Sequence, residues 1–234
     1  MSLIRLTALL GLLLTLTACV APEAGPGAPP DPGAPKVLVM GDSMFSVNAL
    51  AGQNVAAGLR AELGGSVTDQ ALPGARFFYY LPISGAAGLR IPAQYRKGDW
   101  DWVVVNGGGN DILFGCGCTR CDKGYLDRLI TRDGARGAIP KLVASLRAGG
   151  ARVAWAGYLR TPGVRSPIED CNAIGDEFDR RLGAMAARDP GVIFVPMADL
   201  VPEGDLSFHG LDRVHPSAKG SRAIARRLAA AIRG

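Results

Sequence analysis

The chain has 234 residues, 48% of them apolar and 20% charged, with a formal net charge of +5; this bounds it to one ordinary folded domain with appendages and excludes a disordered chain. Its 32 glycines follow no Gly-X-Y repeat, which excludes collagen. With only 2 histidines, His209 and His215, no metal site with three histidine ligands can form, and their spacing does not fit the helical zinc-protease pattern.

The N-terminus carries Arg5, then an apolar run over 6–16, then Leu16-Thr17-Ala18-Cys19. The run is too short to span a bilayer. It resembles a bacterial lipoprotein signal with its lipobox, which implies a signal peptide over 1–18, cleavage before Cys19, and diacylation of Cys19 as a lipid anchor. The alternatives are a plain secretory peptide cut beyond Cys19 and a short buried apolar segment. Residues 20–35 (VAPEAGPGAPPDPGAP) hold six prolines and three glycines and almost nothing able to form a core. Residues 19–35 are therefore expected to be a semi-extended tether, at about 3 Å per residue. The expected location is the bacterial cell envelope, with the protein exported, membrane-anchored through Cys19, and facing the periplasm or the exterior.

The folded part is expected over 36–234. Lys36 to Met40 (KVLVM) and Trp102 to Val105 (WVVV) are short continuous apolar runs ending in glycine-rich turns, which predicts buried strands. Similar runs lie at 66–70, 152–156 and 192–195, while 46–63, 138–148, 172–188 and 217–232 carry helical periodicity. Strands alternating with helices predict a single α/β unit, a three-layer α/β/α sandwich with a mainly parallel central sheet. Ligands on such sheets bind beyond the carboxyl ends of the strands, so the turns there are where a site belongs.

Four of those turns carry chemistry. Gly41-Asp42-Ser43-Met44 puts a hydroxyl at a strand end, with the Ser43 amide at the start of a helix, where unpaired N–H groups favour negative charge; taken alone, such a serine reads as a helix N-cap. Leu72-Pro73-Gly74-Ala75 offers a backbone amide that no side chain obstructs. Gly108-Gly109-Asn110-Asp111 adds a side-chain amide, and Asp212-Arg213-Val214-His215 sets a carboxylate three residues before an imidazole. Together they supply a nucleophile, three oxyanion donors, a base and the group that orients it. His209 reads instead as a surface or site-rim residue, and the Asp42 and Asp111 carboxylates as loop braces bonded to backbone.

These four blocks, GDSM at 41–44, ALPGA at 71–75, GGND at 108–111 and DRVH at 212–215, resemble in content and order those of the SGNH hydrolases, or GDSL-type lipases and esterases. Met44 stands where the family's short name has leucine. The resemblance implies a flavodoxin-like three-layer fold and a serine esterase with Ser43, Asp212 and His215 as catalytic residues. The oxyanion hole would be Ser43, Gly74 and Asn110, and no cofactor or metal would be needed. Gly-x-Ser-x-Gly and P-loop patterns are both absent from the sequence. The contrasting reading is a non-catalytic envelope-binding lipoprotein on the same scaffold.

The substrate is expected to be a small ester or a glycan or lipid ester, with lysophospholipids and acyl thioesters open. Phe77-Phe78-Tyr79-Tyr80 reads as an acyl wall, a sugar platform or simply core, and Arg76 and Arg160 as anion contacts or surface charge. The basic C-terminal stretch, with Lys219, Arg222, Arg226, Arg227 and Arg233, reads as a solvated helix face rather than a nucleic-acid surface. The chain is expected to be a monomer. Cys116, Cys118, Cys121 and Cys171 form an even set in an exported chain, which predicts two disulfides, either 116–121 with 118–171 or 118–121 with 116–171. The rival is a Cys₄ zinc site, which the spacing disfavours.

Overall fold

A computed structural model describes residues 33–234 except Tyr80, Pro162, Val164 and Arg165. The expected signal peptide, Cys19 and nearly all of the tether lie outside the described residues. Five strands, β1 (Val37–Met40), β2 (Val67–Asp69), β3 (Trp102–Val105), β4 (Arg152–Ala156) and β5 (Val192–Val195), form one sheet in the order β2-β1-β3-β4-β5. All pairs are parallel, with Val37 beside both Val67 and Trp102, and Met40 beside Val105.

The sheet is covered on both faces, and the two-residue period of the strands sorts their side chains between them. Leu38, Met40, Val103, Val105, Val153 and Trp155 face one core, which α5 (Lys123–Leu129), α6 (Ala138–Ala148) and α7 (Asn172–Ala186) complete with Leu129, Leu142 and Leu182. Val37, Val39, Trp102, Val104, Ala154 and Ala156 face the other, closed by α2 (Val55–Leu63) and α8 (Ala218–Arg233) through Leu59, Ile224 and Leu228. Each fully buried aliphatic side chain contributes about 1.5–3 kcal/mol. This is the expected three-layer sandwich. The exposed side of α8 carries Arg222 and Arg226, while Arg227 pairs with Asp199.

Elsewhere the elements depart from the periodicity. The helix expected over 46–63 is divided into α1 (Ser43–Ser46), a 3-10 turn at Ala49–Ala51 and α2. Asn48 at φ 67 and Gly52 at φ 64 take the chain out of helical conformation, and Asn54 restarts it by accepting a bond from the Ala57 amide. Short helices that no periodicity announced stand at α3 (Pro82–Ala86) and α4 (Gly109–Gly115), the latter directly after β3.

The strand order places the site. From β1 the chain turns to β2 on one side and then crosses to β3 on the other, so the loops after β1 and β3 diverge and leave a crevice at their carboxyl ends. Ser43 and Asn110 stand in the first turns of α1 and α4, which follow those two strands.

Candidate active site

Ser43 is the first residue of α1, and Asp42 is its N-cap: the Asp42 side chain accepts a bond from the Met44 amide at 2.9 Å. The cap is thus one residue earlier than a capping serine would be, which frees the Ser43 hydroxyl. That hydroxyl lies 2.8 Å from His215 Nε2, and His215 Nδ1 lies 2.6 Å from Asp212 Oδ2. The other Asp212 oxygen accepts the Val214 and His215 amides, each at 3.0 Å. Burial raises the Asp212 pKa, but the His215 ring, these two amides and the imidazolium charge outweigh it and hold the carboxyl below its usual range. The three residues form a continuous Ser–His–Asp relay across 172 residues of sequence.

Two of the three oxyanion candidates, Ser43 and Asn110, stand with His215 in one cleft. The Ser43 amide donates to no other group among the described residues, and neither does the amide of Gly74. Gly74 has φ +74, a left-handed turn that an ordinary side chain would strain, and its carbonyl accepts the Tyr79 hydroxyl at 2.5 Å. Asn110 donates one amide hydrogen to the carbonyl of Ala75 at 3.1 Å, which ties the Gly74 turn to α4 and leaves its second N–H for a ligand. Gly74 reaches the cleft only through the Ala75–Asn110 bond.

Behind the serine lies a buried polar network. Asp42 is 1% exposed; its carboxylate accepts the Met44 amide, the Asn106 side-chain amide at 3.0 Å and the Tyr158 hydroxyl at 2.5 Å. Tyr158 in turn accepts the Gly109 amide at 3.0 Å, so one hydroxyl joins the ends of β1, β3 and β4. Burial raises the Asp42 pKa, and it pushes Tyr158 well above its ordinary value together with the neighbouring Asp42 charge. Gln94 clasps Gly41 by both its amide, at 2.7 Å, and its carbonyl, at 2.9 Å. A Cβ on Gly41 would meet Asn106 Oδ1 at 2.0 Å, so only glycine fits there. Asp111 braces the opposite loop by accepting the Phe77 and Phe78 amides at 2.9 and 2.8 Å, which is the loop role expected of it.

The remaining candidates are sorted by the fold. Phe77 is core, stacked on Trp155 at 6.2 Å, and Phe78 meets Tyr125 edge-on; Tyr80 lies outside the described residues. Arg76 lies over the Tyr79 and Phe114 rings, at 5.1 and 4.8 Å. Arg160 lines the cleft but is pinned by Asp179 and Asp176, at 2.8 and 2.9 Å. The surface position expected for His209 is wrong. The ring is 5% exposed, drawn in where His209 bridges Pro216, and neither ring nitrogen has a partner among the described residues. Burial lowers its pKa against the nearby Asp212 charge. The cysteines pair as Cys116–Cys121 and Cys118–Cys171, the first of the two expected patterns.

No motif in the sequence announced Tyr158, Asn106 or Gln94 as part of the site. Tyr158 had a usable signal, standing two residues beyond β4 on the carboxyl edge. Gln94 had none.

A Ser–His–Asp relay with the unpaired Ser43 amide and the Asn110 side chain in its cleft, at the carboxyl edge of a doubly wound parallel sheet, defines a serine-type hydrolase. The profile of the GDSL-like lipase/acylhydrolase family matches residues 39–223. The chain belongs to that family, the SGNH hydrolases, and is an ester hydrolase. No curated protein matches it by sequence. Among solved structures, a family 2 carbohydrate esterase with a carbohydrate-binding domain from Corynascus thermopiles is similar with a TM-score of 0.59 and 19% identity, over 88% of this chain and 67% of that one. TesA is similar with a TM-score of 0.55 and 22% identity, over 82% and 94%. A family two carbohydrate esterase from Clostridium thermocellum, in complex with cellohexaose, gives 0.58 and 19% over 88% and 66%. At these identities the likeness is one of fold.

Proposed function

We propose that the protein is a lipid-anchored serine esterase of the bacterial cell envelope, hydrolysing a carboxylic ester through an acyl-Ser43 intermediate. The observation that carries the chemistry is the relay, 2.8 Å from Ser43 Oγ to His215 Nε2 and 2.6 Å from Nδ1 to Asp212. His215 takes the hydroxyl proton as Oγ attacks the ester carbonyl, and Asp212 holds the ring with its proton on Nδ1 and stabilises the cation that forms. The amides of Ser43 and Gly74 and the spare N–H of Asn110 receive the oxyanion. The alcohol leaves with the proton from His215, and water, activated by the same imidazole, releases the acid and restores Ser43.

The location rests on the sequence alone: Arg5, the apolar run, Ala18-Cys19 and the proline-rich spacer together fit a lipoprotein signal and tether. The complete set of Ser43, Gly74, Asn110, Asp212 and His215 speaks against a non-catalytic binding lipoprotein. A p-nitrophenyl ester series on the purified protein, with Ser43→Ala alongside, tests the reaction. Wild type should turn over, and Ser43→Ala should lose at least about 10³-fold in kcat; a variant within a few-fold of wild type removes Ser43 from the reaction. Radiolabelled palmitate, incorporated by the bacterial chain but not by Cys19→Ser, tests the anchor; equal labelling of both excludes Cys19.

A further inference from the structure

The cleft does not end at the relay. Beyond Asn110 it continues between α4 and α7, walled by Ile112 and Leu113 from the first and by Ile174 and Phe178 from the second. Cys118 and Cys171 also line it, and they are bonded to each other. This disulfide ties the loop after α4 to the N-cap of α7 across a sequence separation of 53, so the two apolar walls cannot part. Among the described residues of the lining, the Arg160 guanidinium is paired with Asp179 and Asp176 rather than free for an anionic acyl group. The cleft has a cavity volume of about 110 Å³. An acetyl group would leave most of these apolar walls in water.

We propose that this extension is an acyl-chain pocket whose depth is set by the Cys118–Cys171 disulfide and Ile174, which makes the substrate class esters of unbranched fatty acids of intermediate length rather than acetyl esters. The proposal rests on Ser43 being the nucleophile, since the pocket has to receive the acyl side of the ester. Each methylene drawn out of water onto the Ile112, Leu113 and Ile174 walls raises kcat/KM by about three- to fourfold until the chain meets the disulfide. Beyond that point rigid walls turn each further carbon into a penalty. With the cross-link removed, the α4 loop is free to shift away from α7, and the limit moves to longer chains.

The experiment is kcat/KM for p-nitrophenyl acetate, butanoate, hexanoate, octanoate and dodecanoate, on wild type, Ile174→Trp and the pair Cys118→Ser with Cys171→Ser. Wild type should climb about 10²-fold from acetate to hexanoate and fall again by dodecanoate. Ile174→Trp fills the pocket, so its hexanoate-to-acetate ratio of kcat/KM should fall at least about tenfold below that of wild type. The cysteine pair variant, with Cys116–Cys121 intact, should shift the optimum to longer chains; if it does not fold, Ile174→Trp decides alone. A wild type fastest on acetate, or an Ile174→Trp profile parallel to wild type, overturns the pocket and leaves the esterase standing. A protein inactive on every ester overturns both.

Discussion

Asp42 is 1% exposed, while the Asp212 side chain is 51% exposed, although one caps the helix that Ser43 opens and the other bonds its partner His215. Asp42 sits under the serine, at the end of a central strand, held by one backbone amide and by side chains from Asn106 and Tyr158. Asp212 sits on the loop before α8 beside the fully exposed Leu211, and its partners all come from the next three residues. Burial dominates the first and raises its pKa; local hydrogen bonds outweigh burial in the second and lower it. The buried carboxylate fixes where Ser43 stands. The exposed one stays ionised because its hydrogen bonds and the His215 charge together outweigh its desolvation, as a group that must stabilise a transient imidazolium needs. Proximity to the nucleophile therefore does not by itself distinguish a reacting carboxylate from a bracing one.

The sharpest way to break this contrast is Asp212→Asn. The side-chain amide would present N–H to Nδ1 and favour the wrong tautomer, so kcat/KM should fall about 10⁴-fold, roughly 5.4 kcal/mol of transition-state stabilisation. The urea midpoint should hardly move, because the group is exposed and its bonds are local. A loss under tenfold in ester hydrolysis would move the orienting role elsewhere.

Tyr158→Phe tests the buried side. Removing one hydroxyl leaves Asp42 Oδ2 without its donor and the Gly109 amide without its acceptor, so the unfolding free energy should drop by about 2–4 kcal/mol. Activity should fall by less than in Asp212→Asn, about tenfold to a hundredfold, because Ser43 and the start of α4 are displaced rather than disabled. Urea denaturation beside kcat separates the two variants: equal stability losses in both would erase the distinction between brace and relay.

How much of this was legible in the sequence follows the same division. The VLVM and WVVV runs announced β1 and β3 because strands buried on both faces need no alternation. The helices expected over 138–148 and 172–188 stand at Ala138–Ala148 and Asn172–Ala186, since each buries one continuous stripe. Ser43, Asn110, Asp212 and His215 were legible because each sits in a short turn with a recognisable pattern. The buried network was not. Asn106 reaches Asp42 across 64 residues, Gln94 reaches Gly41 across 53, and Tyr158 reaches Asp42 across 116, and no local pattern encodes such pairings. His209 misled for a different reason: it pairs with the nearby Pro216 and is 5% exposed, and nothing in its local pattern marks it as buried.

The smallest effect concerns Asp111, a second buried brace, and it turns the contrast into one of sign. Burial raises its pKa to about 6, against the donors Phe77 and Phe78 and the charge of Arg76. A carboxyl with a raised folded-state pKa binds its proton more tightly in the native protein than in the unfolded chain. Its contribution to stability is therefore complete below about pH 4 and is lost as the pH rises through about 6, to a total of at most about 3 kcal/mol. Asp212, with its lowered pKa, works the other way: its small contribution is present above the unfolded-state value and disappears as the pH falls. Urea unfolding between pH 4 and pH 7 should therefore show the gap between wild type and Asp111→Asn shrinking as the pH rises, while the gap to Asp212→Asn widens slightly. A wild-type curve that runs parallel to Asp111→Asn over that range would mean that Asp111 is already ionised at pH 4. The two amide donors would then outweigh burial there, as local bonds do at Asp212.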